Sequence, residues 1–104
     1  MRGKWGRHGG PAHREKVAQR AGQLEAEGHT LTAGGQRLPE RAVRIPEGKI
    51  RYPDISTIGP NGQPYYENIG RTMASGLPVK REREALEDIK RATGREPGFT
   101  SYDR

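Results

Sequence analysis

Apolar positions are sparse along this chain and fall into two helical stripes and one pair of β-prone runs. From Pro11 to about Glu27, Val17, Ala21 and Leu24 recur on one helical face. Pro11 suits a first helical turn, and Gly28 sits where a C-terminal stop is needed. His13 falls on the same stripe one turn before Val17, a place for a packed or hydrogen-bonded histidine. A second helix is expected from Pro78 to the Thr93-Gly94 stop, with Val79, Leu86 and Ile89 as its stripe and Ala85 and Ala92 beside it. His29–Thr32 reads as a short strand. Gln36 to Lys49, interrupted by Pro39, Pro46 and Gly48, reads mostly as loop. Phe99 and Tyr102 offer apolar anchors for the tail from Arg95 to Arg104.

The most telling stretch is IRYPDISTIGPNGQPYYENIGR, residues 50–71. Two β-prone runs, about Arg51–Ile58 and Gln63–Ile69, flank Pro60-Asn61-Gly62, and Asn-Gly between such runs is a strong hairpin signal. Pro53 removes one ladder donor and marks an edge or a bulge. A two-residue turn at Asn61-Gly62 sets Asp54 opposite Ile69 and Glu67 opposite Ser56. Directly opposed residues share a face, so the two carboxylates then project together as diagonal neighbours. A four-residue loop keeps them on one face; a three-residue loop separates them.

With 104 residues, 30% hydrophobic content, fifteen glycines and eight prolines, the core must be thin and the turns many. Residues 1–10 read as a flexible, Gly-rich basic leader and 11–104 as one domain of α+β class. The expected architecture is a short twisted sheet with a central hairpin, one helix before it and one after. No apolar run approaches membrane-spanning length, and the N-terminus lacks the apolar segment of a signal peptide. Without cysteine there is no disulfide framework, thiolate nucleophile or zinc–thiolate site.

The net charge of +6 is uneven. Residues 1–20 carry six Lys or Arg against one acid, 21–70 carry five against six, and 71–104 carry eight against six. Basic flanks around a neutral to acidic hairpin suit a polyanion such as DNA or tRNA. Arg51, Lys80, Arg81 and Arg83 are the expected backbone contacts; a merely solvated basic surface is the plainer alternative. Asp54 and Glu67, if convergent, offer the hard oxygen donors that Mg²⁺ or Mn²⁺ takes together with phosphate; two solvated charges are the plainer alternative there. Glu82, between Val79 and Leu86 on the inner stripe, either satisfies a buried arginine or approaches such a metal from the second helix. Tyr52 and Tyr65 share the expected site face.

Tyr52-Pro53-Asp54-Ile55 followed by Glu67-Asn68-Ile69 resembles the PD-(D/E)xK signature of restriction-endonuclease-like nucleases. The wider pattern, with Gly10-Pro11-Ala12-His13, Glu67-Asn68-Ile69-Gly70-Arg71 and Arg81-Glu82, is similar to C-terminal nuclease domains of bacterial polymorphic toxins of the contact-dependent inhibition and Rhs types. The resemblance spans about residues 10 to 93. It implies a small restriction-endonuclease-like core, metal-dependent phosphodiester hydrolysis, delivery as an effector to a target-cell cytoplasm, and an acidic immunity protein as partner. The family's lysine is Ile69 here. Arg71, of the same parity as Glu67 if the strand continues, is the expected charge stabiliser, because arginine stays protonated and makes a poor base. Two rivals remain: a metal-independent ribonuclease built on His13, and a nucleic-acid-binding module without catalysis.

Overall fold

A computed structural model of the chain describes residues 10–103. Residues 1–9, which hold most of the expected leader together with Trp5 and His8, lie outside the described residues, as does Arg104. The elements follow as α1 (Pro11–Ala26), β1 (Thr30–Gly34), β2 (Val43–Arg44), β3 (Ile50–Arg51), β4 (Ile55–Ile58), β5 (Pro64–Gly70), α2 (Lys80–Thr93) and β6 (Gly98–Ser101). Four strands form a mixed sheet in the order β1-β4-β5-β6, antiparallel except for the parallel β5–β6 pair. β2 and β3 make a separate two-stranded arm. The class is α+β, with a helix before the central hairpin and another after it. No helix among the described residues is long and apolar enough to cross a membrane.

The helical stripe of α1 is the main apolar contact. Val17, Ala21 and Leu24 pack on Ile55 and Ile69 of the sheet, and Leu31, Tyr65 and Tyr102 close the edges of that cluster. α2 packs against β5 and against both strands of the arm, burying Ile89. The expected long strand from Arg51 is instead two pieces. The break falls at Tyr52-Pro53-Asp54, where proline cannot donate to a ladder and Pro53 itself is buried. The tail read as a pinned extension is β6, which pairs with β5 from Glu67–Gly98 to Gly70–Ser101.

The hairpin register decides where every later side chain points. β4 and β5 pair as Ile55–Glu67, Ser56–Tyr66, Thr57–Tyr65 and Ile58–Pro64. Gly59 N–H donates to the Gln63 carbonyl at 2.8 Å, leaving Pro60, Asn61 and Gly62 as a three-residue loop. Gly62 N–H donates to the Gly59 carbonyl at 2.8 Å, and Gly62 has φ +83°. This is a turn with Pro60 at its second position, where the fixed proline φ fits, closed by a left-handed glycine. A two-residue turn would need Asn61 at positive φ as well, and Gln36 is the only non-glycine residue with positive φ among those described. The expected convergence of Asp54 and Glu67 therefore does not occur. Glu67 opposes Ile55 and faces α1 with Tyr65 and Ile69, whereas Asp54 pairs its backbone with the neighbouring Asn68.

Glu67 is 1% exposed and is satisfied from three elements. Arg20 of α1 grips it with Nε to Oε2 at 2.8 Å and Nη2 to Oε1 at 2.9 Å. The Tyr65 hydroxyl donates to Oε1 and the Thr100 hydroxyl of β6 to Oε2, each at 2.6 Å. Burial opposes the charge of Glu67, but Arg20, Thr100 and Tyr65 outweigh it and hold its pKa below the usual carboxylate range. A second ionic cluster anchors the arm. Asp88 of α2 accepts from Arg51 Nε at 2.9 Å and Nη2 at 2.7 Å, with Lys49 at 3.1 Å and Arg91 at 2.9 Å. Burial of Asp88 opposes its charge, yet these cations draw its pKa down to about 2.

Two outcomes follow from these clusters. Arg20→Ala leaves a buried carboxylate unpaired and is expected to lower the unfolding free energy in urea by about 3 kcal/mol, the lower end for a broken buried pair because Arg20 keeps some contact with water. Asp88 has a depressed folded pKa, so its stabilisation is complete above about pH 4, the unfolded value, and is lost as pH falls to about 2. Asp88→Asn should flatten that part of a stability–pH profile measured by denaturation.

Candidate active site

Once Glu67 is placed in its ion pair, the polar residues that face open space gather elsewhere. A cleft of about 240 Å³ lies between the arm, the start of β4, the end of β5 and the first turns of α2. Asp54, Asn68, Glu82 and Arg81 line it, with Ile50 and Tyr52 of the arm on one side and His13 beneath Asp54.

Asp54 is held in a bend just before β4. Its carbonyl accepts from Gly35 N–H at 2.9 Å. Gly34, at φ +70°, approaches so closely that a Cβ there would stand 2.1 Å from the Asp54 carbonyl oxygen, so this contact requires glycine. Asp54 N–H donates to Asn68 Oδ1 at 3.2 Å, and Ile69 N–H donates to Asp54 Oδ2 at 2.8 Å. The same oxygen meets His13 Nε2 at 3.4 Å. His13 Nε2 also lies 3.0 Å from the Ile69 carbonyl, which can only accept, so Nε2 carries the proton. These contacts engage Oδ2 and leave Oδ1 of Asp54 without a hydrogen bond among the described residues.

His13 orients Asp54 and is poorly placed to touch a substrate. Its Nε2 is committed to Ile69 and Asp54, and its Nδ1 is buried without a hydrogen-bond partner among the described residues. Burial works against its charge, but the hydrogen bond and charge of Asp54, the Ile69 carbonyl and the charge of Glu82 raise its pKa above the ordinary value.

Glu82 enters the cleft from the first turn of α2. No hydrogen bond or ion pair engages its carboxylate among the described residues. Burial and then the charge of Asp54 raise its pKa, against smaller opposing effects of Arg81, His13 and Arg51. Two carboxylates thus share a cleft, Asp54 paired with His13 through Oδ2 at 3.4 Å and Glu82 with no direct ion pair among the described residues. Gly70 makes room for this: a Cβ there would lie 2.5 Å from Glu82 Cδ and 2.7 Å from Oε2.

A divalent cation does not fit the expected Asp54–Glu67 pair, because both Glu67 oxygens are taken by Arg20, Tyr65 and Thr100. Asp54 and Glu82 do fit one as donors: both are hard oxygen ligands, and each has an oxygen free of protein partners. The described residues contain no group of three or more His, Cys, Asp or Glu able to hold a metal. The protein would supply two carboxylates and leave the other positions to phosphate oxygens and water, a common arrangement for Mg²⁺.

The remaining expected residues divide. Arg81 lines the cleft and makes no ion pair among the described residues. Arg51 lines it too, but its guanidinium is fixed on Asp88. Arg71 lies beyond the end of β5, exposed and outside the cleft lining, because the strand stops at Gly70. Lys80 is directed to Glu84 at 3.9 Å on the exposed side of α2, and Arg83 donates to the Pro78 carbonyl at 2.8 Å. Tyr65 belongs to the Glu67 network, not to the cleft. Arg20, Asn68 and Asp88 were not singled out from the sequence. Arg20 falls seven residues after His13 beside the helical stripe, a spacing that points it at the sheet; Asn68 follows from the true hairpin parity; Asp88 carries no local signal.

Gly70→Ala tests the site without substituting either carboxylate. The three atoms nearest to the added methyl all belong to the flexible side chain of Glu82, so the fold should persist with a Tm within a few degrees of wild type. The Glu82 carboxyl must swing away, and any activity that depends on it should fall as far as in Glu82→Gln.

Comparison with family models, with curated proteins and with solved structures finds no match to the chain.

Proposed function

We propose that this chain is a metal-dependent nuclease domain whose acidic pair is Asp54 and Glu82. The observation that carries the reading is a pair of carboxylates, Asp54 and Glu82, in one cleft that also presents Arg81, with Asp54 Oδ1 and the Glu82 carboxylate free of hydrogen bonds among the described residues. Like charges kept close in a partly desolvated site are costly unless a cation joins them, and a carboxyl perturbed in a cleft, as that of Glu82 is, marks a candidate functional site. When bound, Mg²⁺ or Mn²⁺ supplies polarisation of a phosphodiester and activation of water. Asp54 is presented by Ile69 N–H and His13, Glu82 is seated over Gly70, and Arg81 offers a charge-assisted contact to a phosphate. Arg71 drops out of the catalytic set. The helix–hairpin–helix order and the PD-(D/E)xK-like spelling at Pro53-Asp54 support the nuclease reading, with Glu67 serving the fold.

The toxin context belongs to the same proposal. A basic domain of this kind would act as a delivered effector in a target-cell cytoplasm, on DNA or tRNA, and an acidic immunity protein would complement its charge. The metal-independent ribonuclease built on His13 is disfavoured by the buried Nδ1 and the committed Nε2 of that residue.

Incubating the purified domain with plasmid DNA and with total tRNA in Mg²⁺, and again in EDTA, tests the reading. Cleavage should vanish in EDTA and fall at least about a hundredfold in Asp54→Asn and Glu82→Gln, the scale of removing one group that stabilises a transition state. His13→Gln should lower it about tenfold to a hundredfold by loosening Asp54, as losing a partner that orients a metal ligand does. Glu67→Gln should lower stability and leave the folded fraction active. Cleavage that survives EDTA, or a folded protein that binds and never cuts, refutes the proposal.

A further inference from the structure

The end of the arm β2–β3 and Tyr52, which follows it directly, present apolar surface at the rim of the cleft. Ile50 and Tyr52 are 40% and 45% exposed, although both line the cleft beside Asp54. They flank Arg51, whose guanidinium is drawn the other way into the Asp88 cluster. The arm is further tied to α2 by Lys49 on Asp88 and by Arg91, which bridges Asp88 and Glu47. An arm fixed by that many charged contacts holds its two apolar side chains in place at the rim of the cleft.

We infer that the cleft takes single-stranded nucleic acid, with an unstacked base seated against Tyr52 and Ile50 while its phosphate lies toward Arg81 and the acidic pair. The inference rests on the nuclease reading for the identity of the ligand. Tyr52 and Asp54 are two residues apart, so their Cα atoms are separated by no more than about 7 Å, the scale of one nucleotide. In a duplex the base faces are covered by their neighbours, so an aromatic ring at a cleft rim meets a base only where the strand is single or its end frayed. Base–aromatic stacking tolerates any sequence, so this mode of binding carries no base preference.

Fluorescence anisotropy with labelled ten-residue dT and rU oligonucleotides, the matching duplexes, and a dT strand with abasic sites tests this, with Ca²⁺ replacing Mg²⁺. Single strands should bind about tenfold tighter than duplex. Tyr52→Ala should lose about tenfold on single strands, Tyr52→Phe should stay within twofold of wild type, and the abasic strand should bind wild type and Tyr52→Ala alike. Arg81→Ala should weaken every ligand and reduce the salt slope by about one. Equal or tighter duplex binding, or a Tyr52→Ala protein indistinguishable from wild type, overturns the inference, as does failure of the folded protein to bind any strand. Cleavage is scored separately: Tyr52-dependent binding without cutting refutes the nuclease reading alone, and cutting of duplex without Tyr52 dependence refutes the inference alone.

Discussion

The buried carboxylate of Glu67 is the interaction on which the rest of this structure depends. A charge that is 1% exposed is tolerable only with full compensation, and here the compensation comes from three separate elements. Arg20 brings α1 to the sheet, Tyr65 fixes the side chain on its own strand, and Thr100 recruits β6 to the parallel edge. With 30% hydrophobic residues the chain has little apolar area with which to specify this docking. The network specifies it instead, because any slip of α1 or β6 would strand a charge. Buried ion pairs are weak sources of net stability compared with apolar packing, so the consequence of this arrangement is a defined register more than a deep energy well.

The same commitment removes Glu67 from any open site. A carboxylate that accepts from a guanidinium and two hydroxyls has no lone pairs to offer a metal or a water. Asp54, by contrast, sits in a bend whose backbone contacts to Gly35, Asn68 and Ile69 set the carboxyl at the cleft wall. Glu82 comes from the far side on α2, over the one strand position where glycine leaves room. The two residues are distant in sequence and come from separately packed elements. Their approach is the product of the whole fold, and their mutual repulsion is carried by the packing that holds those elements together.

Much of the fold was legible in the chain. The stripe of Val17, Ala21 and Leu24 gave α1 and its buried face, the Thr93-Gly94 stop ended α2, and the hairpin lay where Asn61-Gly62 put it. The site was less legible because its geometry turned on a single residue of loop length. Asn-Gly favours a two-residue turn, but Pro60 ahead of it fits the second position of a turn that ends in a left-handed Gly62, and that turn has three loop residues. The one-residue difference moved Glu67 from the expected site into the core. The arm escaped notice because β2 and β3 are two residues each and carry no alternation to read. β6 was hidden because a four-residue parallel edge strand has no hairpin signal in its neighbourhood.

The central claim is that Asp54 and Glu82, and not Glu67, form the cation-binding pair. Titrating the ¹⁵N-labelled protein with Mn²⁺ and following paramagnetic broadening of its amide signals tests it most directly. The account predicts that Asp54, Asn68, Ile69 and Glu82 to Ala85 broaden first and that Arg20, Tyr65 and Thr100 stay sharp until those are gone. Broadening centred on Arg20, Tyr65 and Thr100, or spread over the surface acids with no focus on the cleft, would contradict it.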